Sequence, residues 1–198
     1  MSFPRLVKPE PRPGNPAPSL AERSDDDLMR LSRAGMREAF AVLVERYAAR
    51  VVQTCARFVN DFDAGRELAQ ETWVAVWQER ERYHTDGGFV PWLVTLARNK
   101  CRNYLRGHRR AERHAPSAEL ADAPSPQQID ALLVAERRAQ VHAALSQLSP
   151  ALREALLLRY GEELRYEEMV QALSTGQSTL RSRVHHGLKQ LREILEKK

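Results

Sequence analysis

Two carboxylates, Glu67 and Glu71, stand one helical turn apart in a stretch running from Asp63 to Arg110. At 3.6 residues per turn they share a side with Gln70, Gln78 and Val74, while Leu68, Ala69, Thr72, Trp73, Val76 and Trp77 fall opposite. A like-charge pair at this spacing opposes an isolated helix by roughly 0.2–0.5 kcal/mol. It makes either a solvated acidic face or a surface kept for a basic partner. The helix that follows has the opposite character. From Phe89 to Arg110 there are six cations (Arg98, Lys100, Arg102, Arg106, Arg109, Arg110) and no acid. Phe89, Trp92, Leu93, Leu96 and Ala97 give its first turns an apolar face. A helix anchored by aromatics and so unbalanced in charge suits a polyanion. Between the two lies Tyr83-His84-Thr85-Asp86-Gly87-Gly88. That turn is either an ordinary helix–helix connection or a loop accepting a splayed base by stacking and edge hydrogen bonds.

Bond-making chemistry has no comparable signature. The chain holds no catalytic carboxylate pair, metal-ligand cluster, activated nucleophile or phosphate-cradling glycine loop. His84, His108 and His114 are scattered through basic or linker sequence. Cys55 and Cys101 sit in predicted helices without a CxxC pattern and read as reduced packing residues. The expectation is a protein that is not an enzyme, with no cofactor and no metal.

The elements that position these faces follow from periodicity. Residues 1–23 carry six of the eleven prolines and little apolar patterning, the composition of a disordered tail. Polar Ser24 and the acids Asp25, Asp26 and Asp27 start a helix. Leu28, Leu31 and, beyond a turn at Gly35, Phe40 to Phe58 keep a helical period that Asp61–Asp63 close. Four helices over 24–110 are expected to form one all-α unit with tryptophans at its core. Residues 111–128, with Pro116, Pro124 and Pro126, read as a flexible linker. The net charge of +5 over 198 residues and a pI near 9.5 are modest, so it is the clustering of charge that informs. No apolar run approaches the ~20 residues of a membrane span.

From Ile129 to the end a second helical unit is expected, with Pro150 in a first turn and Gly161 ending that helix. A helix over roughly 166–173, a turn at Ser174-Thr175-Gly176 and a helix over 178–195 have helix-turn-helix form. Met169, Val170, Leu173, Leu180, Val184, Leu188 and Leu191 are the candidate shared core. Outward stand Arg181, Ser182, His185, His186 and Lys189, with Arg183 nearby; residues 177–192 hold four Lys/Arg and no acid. Helices presented in this way enter the major groove.

Glu67-Leu68, Gln70-Glu71-Thr72-Trp73, Trp77, Phe89, Trp92-Leu93 and Ala97-Arg98-Asn99 together resemble the second region of bacterial RNA polymerase sigma factors, above all the small extracytoplasmic-function (ECF) group. Leu156–Tyr160, Tyr166-Glu167-Glu168-Met169, Thr179–His185 and Leu191-Arg192 resemble the family's fourth region. The likeness runs from about residue 25 to 195. Val170, Ser174 and Gly176 depart from the usual small residue, glycine and hydroxyl cap, which points to a slightly altered turn.

The resemblance implies an all-α protein of two helical domains and a dissociable specificity subunit of RNA polymerase. Glu67, Gln70 and Glu71 would dock the β′ clamp helices, with the β flap a further contact. Tyr83, Asp86, Arg98, Asn99 and Arg102 would engage the melted −10 element. Arg181, Ser182, His185 and His186 would face −35 bases, and Arg183 and Lys189 would hold phosphates. An anti-sigma partner, a cytoplasmic location and no membrane insertion are implied as well. The rival is a helix-turn-helix transcription factor binding duplex DNA without polymerase; it leaves the acidic face and aromatic loop without a purpose.

Overall fold

The computed structural model describes residues 19–84, 88–112 and 139–197, the side chains of 109–112 excepted. Residues 1–18 of the expected tail, Asp86 with its neighbours 85 and 87, and the linker with the pattern at 129–138 lie outside the described residues. Among the described residues all regular structure is helical.

Helix α1 (Asp25–Arg33) starts where polar Ser24 allows it, the Ser24 hydroxyl accepting from the Asp27 N–H at 3.2 Å. Its three acids each have a separate duty. Tyr47 donates to Asp25 at 2.5 Å, beside the Arg46 guanidinium, and Tyr83 donates to Asp26. Asp27 accepts from Arg30 at 2.8 Å. Burial, together with donation to Asp25, pushes the Tyr47 phenol up to about 12.

Gly35, at φ 94, supplies the left-handed turn into α2 (Arg37–Val59). Asn60 ends α2 in the left-handed region, and the Asp61 carboxylate caps α3 (Phe62–Glu79) by accepting from Ala64 N–H at 2.9 Å. Helices α2 and α3 meet backbone to backbone at Gly65, where a Cβ would lie 2.6 Å from the Ala56 backbone. A short 3₁₀ turn, Arg80–Arg82, leads toward α4 (Phe89–Glu112). Leu28, Met29, Leu43, Val51, Cys55, Leu68, Val76, Leu93 and Cys101 are buried between the four.

Two expectations change here. Trp73 and Trp77 are half-buried at the rim, where Phe40 packs on both at 5.9 and 5.0 Å, and aliphatic residues occupy the centre. The cysteines keep their packing role: both are free and buried, with Cys101 Sγ 3.9 Å from the Cys55 carbonyl.

Residues 139–147 form α5. Helix α6 (Pro150–Leu156) takes proline in its first turn as expected, and then runs on through a π turn, Leu157–Gly161. Helix α7 (Tyr166–Leu173) is capped by Glu168, whose carboxylate accepts the Arg165 N–H at 2.6 Å. Helix α8 (Gln177–Glu196) follows the turn at 174–176. Met169, Leu180 and Val184 are its buried partners, but Leu188 is 41 % exposed. The expected shared core therefore stops short of it: Leu188 lines an apolar cleft of about 480 Å³ with Val141, Leu145, Tyr160 and Leu191. The two halves also touch, α4 against α7 and α2 against the π turn, so that buried apolar residues of both belong to one cluster.

Ser174 occupies the left-handed region at φ 48, where a side chain costs about 1 kcal/mol or more relative to glycine. Ser174→Gly should raise stability by about 1 kcal/mol and the melting temperature by roughly 2–4 °C. Thermal unfolding followed by circular dichroism checks this; an unchanged or lower midpoint contradicts it.

Candidate nucleic-acid interface

The acidic face stands on α3 as its periodicity requires. Glu67, Gln70, Glu71 and Gln78 are exposed, and Val74 among them is 56 % exposed. A large apolar group ringed by acids is the pattern of a contact surface rather than of plain solvated charge. Lys100 of α4 reaches Glu71 at 3.6 Å, an exposed pair of the kind worth about 0–1 kcal/mol.

The residues expected at a melted strand are divided. Arg102 is exposed and Asn99 half-buried on α4. Tyr83 is 2 % exposed, its ring 5.2 Å from Trp92 and 6.1 Å from Phe89, its hydroxyl engaged by Asp26. In this conformation it offers no face to a base, because the loop needs an anchor into the core. Arg98 is 7 % exposed: Nε donates to Glu154 of α6, and a terminal nitrogen donates to the Ala172 carbonyl of α7 at 3.2 Å. Here it serves the contact between the halves. Asp86 lies outside the described residues. A cleft of about 250 Å³ remains beside the loop, lined by Arg82, His84, Trp92 and Thr95, with Gln171 of α7 as one wall.

The helix-turn-helix presents a complete outward face. Arg181, Ser182, His185, His186 and Lys189 are exposed and Arg183 is half-buried, while Leu180, Val184 and Gly187 of the same helix are buried. Gly187 lets α8 lie close on α6, since a Cβ there would stand 3.1 Å from Leu156. Gln177 donates to Glu167 at 2.7 Å, tying the start of α8 to α7. The Arg181 guanidinium lies 4.9 Å from the Tyr166 ring centre, and that of Arg159 lies 5.5 Å from the same centre. Sequence reasoning missed this pairing, as it missed Glu154 and the Ala172 carbonyl. These partners lie far apart along the chain, and periodicity reports only neighbours within a helix.

Among the described residues there is no group of three His, Cys, Asp or Glu side chains that could hold a metal, and no helix long and apolar enough to cross a membrane.

Comparison with known proteins is consistent across both halves. Residues 43–111 match the model of Sigma-70 region 2, and residues 138–191 that of Sigma-70, region 4. The RNA polymerase sigma factor CarQ of Myxococcus xanthus is 34% identical over 165 residues, 82% of this chain and 92% of the relative. The ECF RNA polymerase sigma factor SigK of Mycobacterium ulcerans is 32% identical over 181 residues, 88% of this chain and 96% of the relative. A solved structure of the sigma factor RpoE in complex with the anti-sigma factor NepR from Bartonella quintana shares the fold. It is 20% identical at a TM-score of 0.65, over 79% of this chain and 96% of that one.

Tyr166 holds Arg181 by its π face, an interaction worth ~0.5–1 kcal/mol at exposed sites. Tyr166→Leu should therefore weaken duplex DNA binding about two- to five-fold while leaving the helical signal unchanged. Fluorescence anisotropy on labelled duplex checks it; unaltered affinity would leave Arg181 positioned by something else.

Proposed function

The chain belongs to the sigma-70 family of RNA polymerase sigma factors, in the extracytoplasmic-function group, and we propose how its exposed faces carry out that role. It binds core RNA polymerase and directs promoter-specific initiation. We assign 24–110 to the region 2 unit and 129–198 to the region 4 unit.

Glu67, Gln70 and Glu71, around exposed Val74, dock the basic β′ clamp helices. The weak Lys100–Glu71 pair is exchanged for clamp-helix cations at little cost. Arg98, Asn99 and Arg102 follow the melted −10 strand, with Asp86 in the adjoining loop. The cleft beside the loop has the half-buried Trp92 ring, the His84 ring and the Thr95 hydroxyl to receive an extruded base. Extrusion costs a few kcal/mol that such contacts must offset. Tyr83 serves by anchoring this loop through Asp26 rather than by stacking.

Arg181, Ser182, His185 and His186 read −35 base edges, while Arg183 and Lys189 hold phosphates and fix register. The supporting observation is the outward face of α8, polar and exposed along a helix whose other side is buried. The apolar cleft beside Tyr160 and Leu188 suits an amphipathic helix, such as the β flap tip or an anti-sigma segment. Control by an anti-sigma factor and action in the cytoplasm, without enzymatic chemistry, complete the reading.

Reversing Glu67 and Glu71 together to Lys should weaken core binding at least about tenfold with the helical signal intact. Co-sedimentation with core polymerase measures this, and normal binding would remove these residues from the docking face. Run-off transcription on a library of promoter fragments, with wild type and Arg181→Ala, tests the α8 assignment. A loss of preference at the upstream element supports base readout. Loss that is uniform across sequences makes Arg181 a phosphate contact, and no change removes it from the site.

A further inference from the structure

The contact between the two halves is polar, specific and placed over the surface that must meet DNA. Glu162 follows the π turn at the end of α6, and its carboxylate is 2 % exposed. Thr54 donates to Oε1 at 2.8 Å and Arg57 at 3.1 Å, while Arg50 donates to Oε2 at 3.2 Å. The same arginines hold the backbone: Arg50 donates to the Glu162 carbonyl at 2.8 Å and Arg57 to the Gly161 carbonyl at 2.7 Å. All three donors are on α2, more than a hundred residues earlier in the chain. Glu163, at φ 58, takes a left-handed conformation unusual for a residue with a side chain.

A second contact lies on α4, where Arg98 is held by Glu154 and by the Ala172 carbonyl at the end of α7. A third pairs His142 Nδ1 with Asn60 Oδ1 at 3.0 Å. The consequence is occlusion. Arg98 is withdrawn from solvent, and Gln171 forms one wall of the cleft beside the promoter loop.

We infer that the α2–Glu162 cluster and the Arg98–Glu154 pair form an autoinhibitory latch, which keeps the −10 surface shut in the chain alone and is released when the halves separate on core polymerase. Nearly every acceptor position of Glu162 is engaged, so the closed geometry is specific. The Arg50 and Arg57 side chains are 38% and 32% exposed, so water and competing charges reach the cluster and the contact is reversible. The latch rests on the assignment of Arg98 to promoter DNA.

Two substitutions outside the DNA- and polymerase-facing sets separate the possibilities. Glu162→Gln weakens the α2 cluster with little change of shape, and Glu154→Gln frees Arg98 while leaving that cluster intact. The full-length variants are measured for radius of gyration by small-angle scattering and for affinity to a labelled mixed-sequence single strand, without polymerase. Glu162→Gln should enlarge the radius, and both variants should bind the strand about tenfold more tightly than wild type, as release of a mostly closed population predicts. With core polymerase all three proteins should transcribe alike. An unchanged radius for Glu162→Gln with unchanged affinity for both variants overturns the latch. Expansion without any gain in affinity overturns its gating role and removes Arg98 from the DNA surface, while transcription from selected promoters would still uphold the sigma reading. Should Glu162→Gln lose its helical signal, Glu154→Gln decides: a gain in affinity supports the latch, and none overturns it.

Discussion

A carboxylate withdrawn almost wholly from water must find in the protein what the solvent supplied. Glu162 finds it in two guanidiniums and a hydroxyl on one helix of the other half. Much of the arrangement around it follows. The π turn and the left-handed Glu163 carry the chain out of α6 at the angle that aims the carboxylate at α2. The freed carbonyls at that helix end are then taken up by the same arginines. Such a pair adds little net stability, since desolvation offsets most of its attraction. Its effect is to select one relative placement of the halves among many that apolar packing alone would allow.

The N-terminal half shows the same economy of charge at α1. Asp25, Asp26 and Asp27 favour the positive end of that helix, yet each also takes a hydrogen bond from elsewhere. Through Asp26 the helix fixes Tyr83, and through Tyr83 the packing with Phe89 and Trp92 at the start of α4. The loop that precedes α4 is thereby set by a ring that is itself hidden. An aromatic in a recognition loop can serve as its hinge pin rather than its ligand platform.

Local features are the ones legible in the sequence. Ser24, Gly35, Asp61, Pro150 and the 174–176 turn act through backbone geometry within a few residues, and each stands where local rules put it. The exposed acids of α3 and polar face of α8 follow from helical period alone. What escapes such rules is long-range. Six cations on α4 look alike in sequence, and only the fold distinguishes Arg98, whose acidic partner lies 56 residues on. Leu188 has the period of a core residue but stands where α5, α6 and α8 leave a cleft. Tyr83 has the composition of a stacking residue, and only the position of Asp26 reveals its use. Chain order carries no sign of which charge will be buried, because burial depends on the partner's approach.

The central claim is that the surfaces for −10 and −35 DNA stand on two halves held together in the free chain and parted on polymerase. Pulsed electron paramagnetic resonance between spin labels at Ala49→Cys on α2 and Glu193→Cys on α8 measures this directly. Both positions are exposed, and the native Cys55 and Cys101 are buried away from the label. The account predicts one short, narrow distance for the chain alone and a longer one once core polymerase is bound. The same short distance in both states would contradict it.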